Sequence, residues 1–198
     1  MKTAAKAQLE SRKVPSDERL VELCLKGDQQ AWADLIDRYK NLIYSIPIKL
    51  GMYDDAADIF QSVCVDLLSD LQRLRAPKAL PKWLMQVGYH KCLEYRTQSR
   101  KQVQLDDEDA DKLPADPEAT GLPGDLLDQL EREQMVRDVV SGLPHRCERM
   151  VRMLFFETPP RPYQDVAKEL GVATGSIGFI RGRCLIRLRK QLEKMGFQ

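Results

Sequence analysis

The chain is predicted to be all α-helical, built as two small helical domains joined by a flexible acidic linker. Three observations carry this. Nearly every periodic segment repeats its apolar residues three and four apart, no segment shows the sustained alternation of a strand, and one stretch breaks the pattern with Asp, Pro and Gly. A length of 198 residues suits two modules, each just large enough for its own core.

Residues 1–14 are expected to form a flexible tail. Ser16 can cap a first helix whose opening turn holds Asp17 and Glu18, whose apolar face is Leu20, Leu23 and Cys24, and which Gly27 ends. Asp28 can cap a second helix, in which Trp32, Leu35, Ile36, Tyr39 and Ile43 recur at helical spacing until Pro47 kinks or ends it. A third helix is expected from about Asp55 to Leu71. A fourth should begin near Pro81, a residue suited to a first turn, and run to about Arg100, with Gly88 weakening it slightly. These make up a first domain over 15–104.

The composition then shifts. Residues 105–124, "LDDEDADKLPADPEATGLPG", have the make-up of a solvated linker. In the second domain, 125–198, an amphipathic helix ends at Gly142, Pro144 opens another through about Phe156, "ETPPRP" is a turn, and two more helices follow.

Charge follows the same partition. Residues 1–104 carry 17 Lys/Arg and 13 Asp/Glu, residues 105–133 carry 2 and 11, and residues 134–198 carry 12 and 6, so a near-neutral total conceals two basic modules and an acidic connector.

The five cysteines (Cys24, Cys64, Cys92, Cys147, Cys184) are odd in number and form no C-x-x-C pair, which predicts small buried residues in a reducing compartment rather than disulfides or a zinc module. The N-terminal stretch has no apolar run of signal-peptide length, and no run of about eighteen apolar residues occurs anywhere, so a soluble intracellular protein is expected. His90 and His145 stand singly, without a nucleophile or metal-ligand spacing nearby. No catalytic residue, metal site or cofactor is predicted.

Two constellations carry function. In "YQDVAKELGVATGSIGFIRGRCLIRLRKQL", Gly171 sits where a helix-turn-helix needs positive φ, and Ala167 where its two helices cross closely. Val166, Leu170, Val172, Ile177 and Ile180 occupy the offsets of its small core. A structural hairpin would share that pattern, but it would have no need of an acid-free second helix bearing Arg181, Arg183, Arg187, Arg189 and Lys190. Such a helix suits a DNA major groove and its phosphates. The second constellation, residues 73–101, holds eight Lys/Arg against Glu94 alone, interleaved with Trp83, Tyr89, His90 and Tyr95. That combination can hold unpaired bases by stacking and charge. The helix before it is acidic, with Asp54, Asp55, Asp58, Asp66 and Asp70, and faces either solvent or a basic protein partner.

Taken together, "LVELCLKGDQQAWADLIDRY", "DDAADIFQSVCVDLL", "WLMQVGYHKCLEYR" and "GLPHRCERMVRMLFFE", followed by the helix-turn-helix, resemble the sigma-70-like initiation factors of bacterial RNA polymerase. The likeness is to the short extracytoplasmic-function (ECF) type, covering about 17–104 and 125–195. The resemblance implies that Asp58 and Gln61 dock on the clamp helices of the largest polymerase subunit. It implies that Arg73, Arg75, Lys78, Lys82, Trp83, His90, Lys91 and Arg96 recognise and open the −10 element, with an unpaired base held by the loop of about Arg73 to Leu80. Thr174, Ser176, Arg181, Arg183 and Arg187 would meet the −35 element, although the order Ile180-Arg181 leaves open whether Arg181 faces DNA or lies across the core edge. The implied partners are core RNA polymerase, through clamp helices and flap, and promoter DNA both double-stranded and locally melted, with room for an anti-sigma factor and no membrane. The implied place of action is the bacterial cytoplasm, and the acidic linker would thread the RNA exit path. The competing reading is a stand-alone helix-turn-helix regulator that binds an operator without polymerase.

Overall fold

The computed structural model describes residues 15–74, 76–104 and 122–197, with backbone only for 100–104. The expected tail, Arg75 and residues 105–121 of the expected linker lie outside the described residues. Among these the secondary structure is entirely helical, as the periodicity predicts. The chain divides into two compact units, one spanning Pro15–Glu131 and one taking up the chain from Arg132.

In the first unit, α1 (Asp17–Leu25) begins where the Ser16 hydroxyl accepts the Arg19 N–H and ends before Gly27, whose φ of +83° is one that side chains rarely adopt. One oxygen of Asp28 accepts the N–H groups of Gln30 and Ala31 at 2.9 and 3.1 Å and so opens α2 (Gln29–Lys49). Pro47 does not end this helix. It sits buried in the last turn, where its missing N–H costs the helix a single bond to the carbonyl four residues back, and Gly51 at φ +76° completes the stop. Helix α3 (Ala56–Asp70) leads through two 3-10 turns, Leu71–Arg73 and Pro77–Ala79, into α4 (Leu80–Gln104).

These helices close on Leu35, Leu42, Ile43, Ile46, Ile59, Val63 and Leu84, all fully buried, each side chain contributing about 1.5–3 kcal/mol by leaving water. A polar clasp joins α1 to α2: Asp17 accepts from Arg38 at 2.5 Å and from the Tyr39 hydroxyl at 2.7 Å. At Gly88 α4 leaves no room for a side chain against α2, since a Cβ there would lie 2.6 Å from Cδ1 of Ile46. The predicted weak point of α4 is therefore a packing requirement.

Helix α5 (Gly124–Ser141) contains the division between the units. Leu130 is buried in the first core, with Leu126 and Leu127 partly buried against it. Sequence reading assigned these residues to the second domain, because periodicity shows an apolar face and not the core that receives it.

The second unit contains α6 (His145–Phe155), α7 (Tyr163–Leu170) and α8 (Ile177–Lys194), the last preceded by a 3-10 turn at Thr174–Ser176. One cluster joins Met150, Met153 and Leu154 of α6 to Val166, Ala167 and Ile177, with Leu170, Val172 and Ile180 packed against it. A second gathers Val140, Leu143, Cys147, Val151 and Cys184. Here the cysteine expectation is corrected. Cys147 and Cys184 form a disulfide between α6 and α8, their Cα atoms 5.3 Å apart, a pairing set by how the helices cross and invisible in residue spacing. Cys24, Cys64 and Cys92 are free thiols, Cys24 and Cys92 buried and Cys64 half-buried.

Candidate nucleic-acid interface

The second unit presents a helix-turn-helix. Gly171 takes φ +63° at the end of α7, and Val172 returns its N–H to the Ala167 carbonyl at 3.0 Å, turning the chain sharply enough to set α8 across α7. Val166, Ala167 and Ile177 are buried at the crossing, and Ile180, Cys184 and Leu188 continue the inward face of α8 at helical spacing. The outward face therefore carries Phe179, Gly182, Arg183, Ile186 and Lys190.

The predicted recognition residues divide between positions. Thr174 is exposed in the entry turn, and Ser176, at the residue before α8, makes no side-chain capping bond. Arg183 projects from the outward face with its guanidinium 5.6 Å from the centre of the Phe179 ring. Arg187 is exposed on one flank. Arg181 occupies the other flank and donates to the Tyr163 hydroxyl at 2.7 Å, at the start of α7. Arg189 is paired with Glu193 at 2.7 Å in an exposed contact of little energetic weight.

In the first unit, Lys82, Gln86 and His90 follow one another at intervals of four along the exposed face of α4, and the Trp83 ring is half-buried against the core beside them. Arg73 and Lys78 are exposed in the two 3-10 turns before α4, Arg73 bonded to Asp70 at 3.0 Å. Lys91 and Arg96 leave this face on opposite sides. Lys91 reaches Asp66 of α3 at 3.1 Å and pairs with Glu94 of its own helix at 3.2 Å. Burial disfavours its charge, but the two carboxylates outweigh that and hold its pKa above the ordinary lysine value. Arg96 donates to the Leu50 carbonyl at the end of α2, at 3.4 Å.

A separate stripe runs down α3. Asp58, Gln61, Val65 and Leu68 are spaced three and four apart, opposite the buried Ala56, Ile59, Val63 and Leu67, and all four are exposed. Val65 and Leu68 are 60% and 59% exposed, which makes the stripe acidic at one end and apolar at the other. Leu68 also walls an open apolar groove of about 450 Å³ with Trp32, Ile36 and Cys64. Sequence reading named Asp58 and Gln61 but missed Val65, Leu68 and Phe179. The available signal was an apolar residue at a position facing away from its helix's own core.

Among the described residues, no group of three or more His, Cys, Asp and Glu side chains is placed to hold a metal. Burial pushes the Cys24 thiol up to about 11 and the Cys92 thiol up to about 12, so both stay protonated and unreactive near neutrality. No described helix is long and apolar enough to cross a membrane.

Comparison with known proteins bears on the whole chain. It is 23% identical to the ECF RNA polymerase sigma factor SigW of Bacillus subtilis, over 86% of this chain and 93% of that protein. It is 22% identical to the ECF RNA polymerase sigma-E factors of Escherichia coli K12 and Salmonella typhimurium LT2, over 90% of this chain and 93% of each. This chain is similar to ECF sigma factors. The likeness to these sigma factors is distant but runs nearly end to end, through both helical units. No family model matches the chain.

Proposed function

We propose that this protein is an ECF-type sigma factor, which binds core RNA polymerase and directs transcription to a particular set of promoters. The observation that carries the reading is the helix-turn-helix of the second unit, with a cationic outward helix, in a chain similar to sigma factors along almost its whole length. Catalysis belongs to the core enzyme, and the place of action is the bacterial cytoplasm where that enzyme works.

In this reading the first domain, 15–104, docks and melts. The α3 stripe of Asp58 and Gln61, extended by Val65 and Leu68, meets the clamp helices of the largest subunit, its apolar end burying area and its acidic end fixing register. Lys82, Trp83 and His90, with Arg73, Arg75 and Lys78 on the preceding loop, take the −10 element and hold its unpaired bases by stacking and phosphate contact. Arg96 flanks this surface, and Lys91, whose charge is shared with two carboxylates, serves mainly to hold α3 against α4. The second unit takes the −35 element through Thr174, Ser176, Arg183 and Arg187, with Arg181 steadied by Tyr163. The exposed Phe155 and Phe156 at the end of α6 offer an apolar contact for the polymerase flap. Joining two weak readers on one large enzyme raises effective affinity without new contacts.

Core polymerase supplied with this protein should start transcripts at a discrete promoter set, and core alone should not. A gel-shift assay separates this from an operator-binding regulator, because tight sequence-specific binding by the free chain would favour the regulator. Run-off transcription that did not depend on the protein would sink the sigma-factor reading.

A further inference from the structure

The outward face of α8 carries a feature that charge does not explain. Phe179 is 69% exposed at the start of the helix expected to enter a groove, although burying a phenyl ring is worth several times what an exposed one contributes. It is also held in place. The guanidinium of Arg183, one turn on, lies 5.6 Å from the ring centre, within the range of cation–π attraction. The neighbouring positions are bare: a Cβ at Gly175, Gly178 or Gly182 would meet nothing within 4 Å. The ring therefore stands beside a helix surface that can approach another body closely. Arg181, the other cation on this part of the helix, is turned aside to Tyr163.

The major groove offers one apolar group at base level, the 5-methyl of thymine. An aromatic or aliphatic side chain contacts it, whereas Arg reads the O6 and N7 of guanine. We propose that Phe179 is a specificity-determining residue that reads the 5-methyl group of one thymine in the upstream promoter element, with Arg183 fixing the ring and reading the adjacent base or phosphate. This rests on the sigma-factor reading and names what its second unit selects. A ring packed over a methyl excludes water from it, and the other bases leave the ring facing polar edges. The preference therefore arises from apolar burial and needs no additional hydrogen bond.

The experiment uses core polymerase reconstituted with the full chain, parent or Phe179→Ala, and selects initiating templates from a library randomised across the upstream element. The parent should enrich thymine at a position that Phe179→Ala leaves random, with the other selected positions unchanged. On a selected promoter, replacing that thymine by deoxyuridine should lower initiation by the parent about fourfold, the worth of one buried methyl group, and leave Phe179→Ala unaffected. Because the ring is exposed, the variant should keep the parent's helical content and its retention on immobilised core, and both are measured alongside. Identical selected sequences for parent and variant, or equal sensitivity to deoxyuridine, would overturn the assignment while leaving the sigma-factor reading intact. A parent that enriched no template with core would overturn both.

Discussion

At the scale of single residues, two contacts decide how the first unit holds its shape. Asp17 accepts from Arg38 and Tyr39 with both oxygens while the Asp17 and Arg38 side chains are only 23% and 17% exposed. Asp17→Ala would take away the carboxylate that Arg38 and the Tyr39 hydroxyl share while Arg38 keeps its bond to the Pro15 carbonyl, so a loss of about 1–3 kcal/mol is expected in urea unfolding. Gly88 is the second. Gly88→Ala gains up to about 1 kcal/mol of helix propensity, but its methyl would overlap a fully buried Ile46, an overpacking cost of about 1–3 kcal/mol. The net change should destabilise, and Ile46→Val, which removes the clashing atom, should be less harmful in the Gly88→Ala background than alone. Strict additivity of the two would show that the helices do not meet as described. Neither contact was legible in the sequence, where Asp17 read as a first-turn acid and Gly88 as a local weakness. Propensity describes a residue within its own helix, while these costs come from another one.

Elements were more legible than contacts. The seven positions from Val166 to Ile180 predicted the helix-turn-helix, and the structure gathers them as expected, because this motif's core is local in sequence and offsets alone specify it. The outward face of α8 was legible as charge but not as shape: Arg181 is drawn to Tyr163, and Phe179 is exposed instead. Charge reversal at Arg183 and Arg187 should lower promoter-specific starts at least about thirtyfold while core binding persists, since each guanidinium contact is worth about 1–3 kcal/mol. Asp58→Arg should instead weaken retention on core. Two variants with parental behaviour in both assays would refute this division of labour. Helix α5 marks the limit of reading by element: its apolar stripe is plain, but Leu126, Leu127 and Leu130 serve the first core.

Across the whole molecule, near-neutrality hides a basic first module, a strongly acidic middle and a basic end. The sequence conveyed this partition directly, because charge counts need no fold. Where the division falls inside α5 required the packing. A free chain with few phosphate contacts should bind DNA weakly and without sequence preference, losing about a hundredfold in affinity between roughly 50 and 200 mM salt if about four phosphates are engaged. With core present, binding should become promoter-specific, and its salt dependence should steepen as the enzyme adds phosphate contacts. A free chain that discriminates promoters as well as the polymerase-bound form would contradict the sigma-factor assignment.

The Cys147–Cys184 bridge makes sample history part of what any assay of this protein measures. It closes a loop across a sequence separation of 37, worth about 3–4 kcal/mol in chain-entropy terms, within a unit too small to spare that much. Protein handled in air and protein kept in dithiothreitol should therefore melt at different temperatures. Because both sulfurs are buried, the second preparation would convert only as fast as its helices part, drifting over time after the reagent is added. Laboratories comparing promoter strengths would then be comparing incubation times unless the thiol state were titrated first.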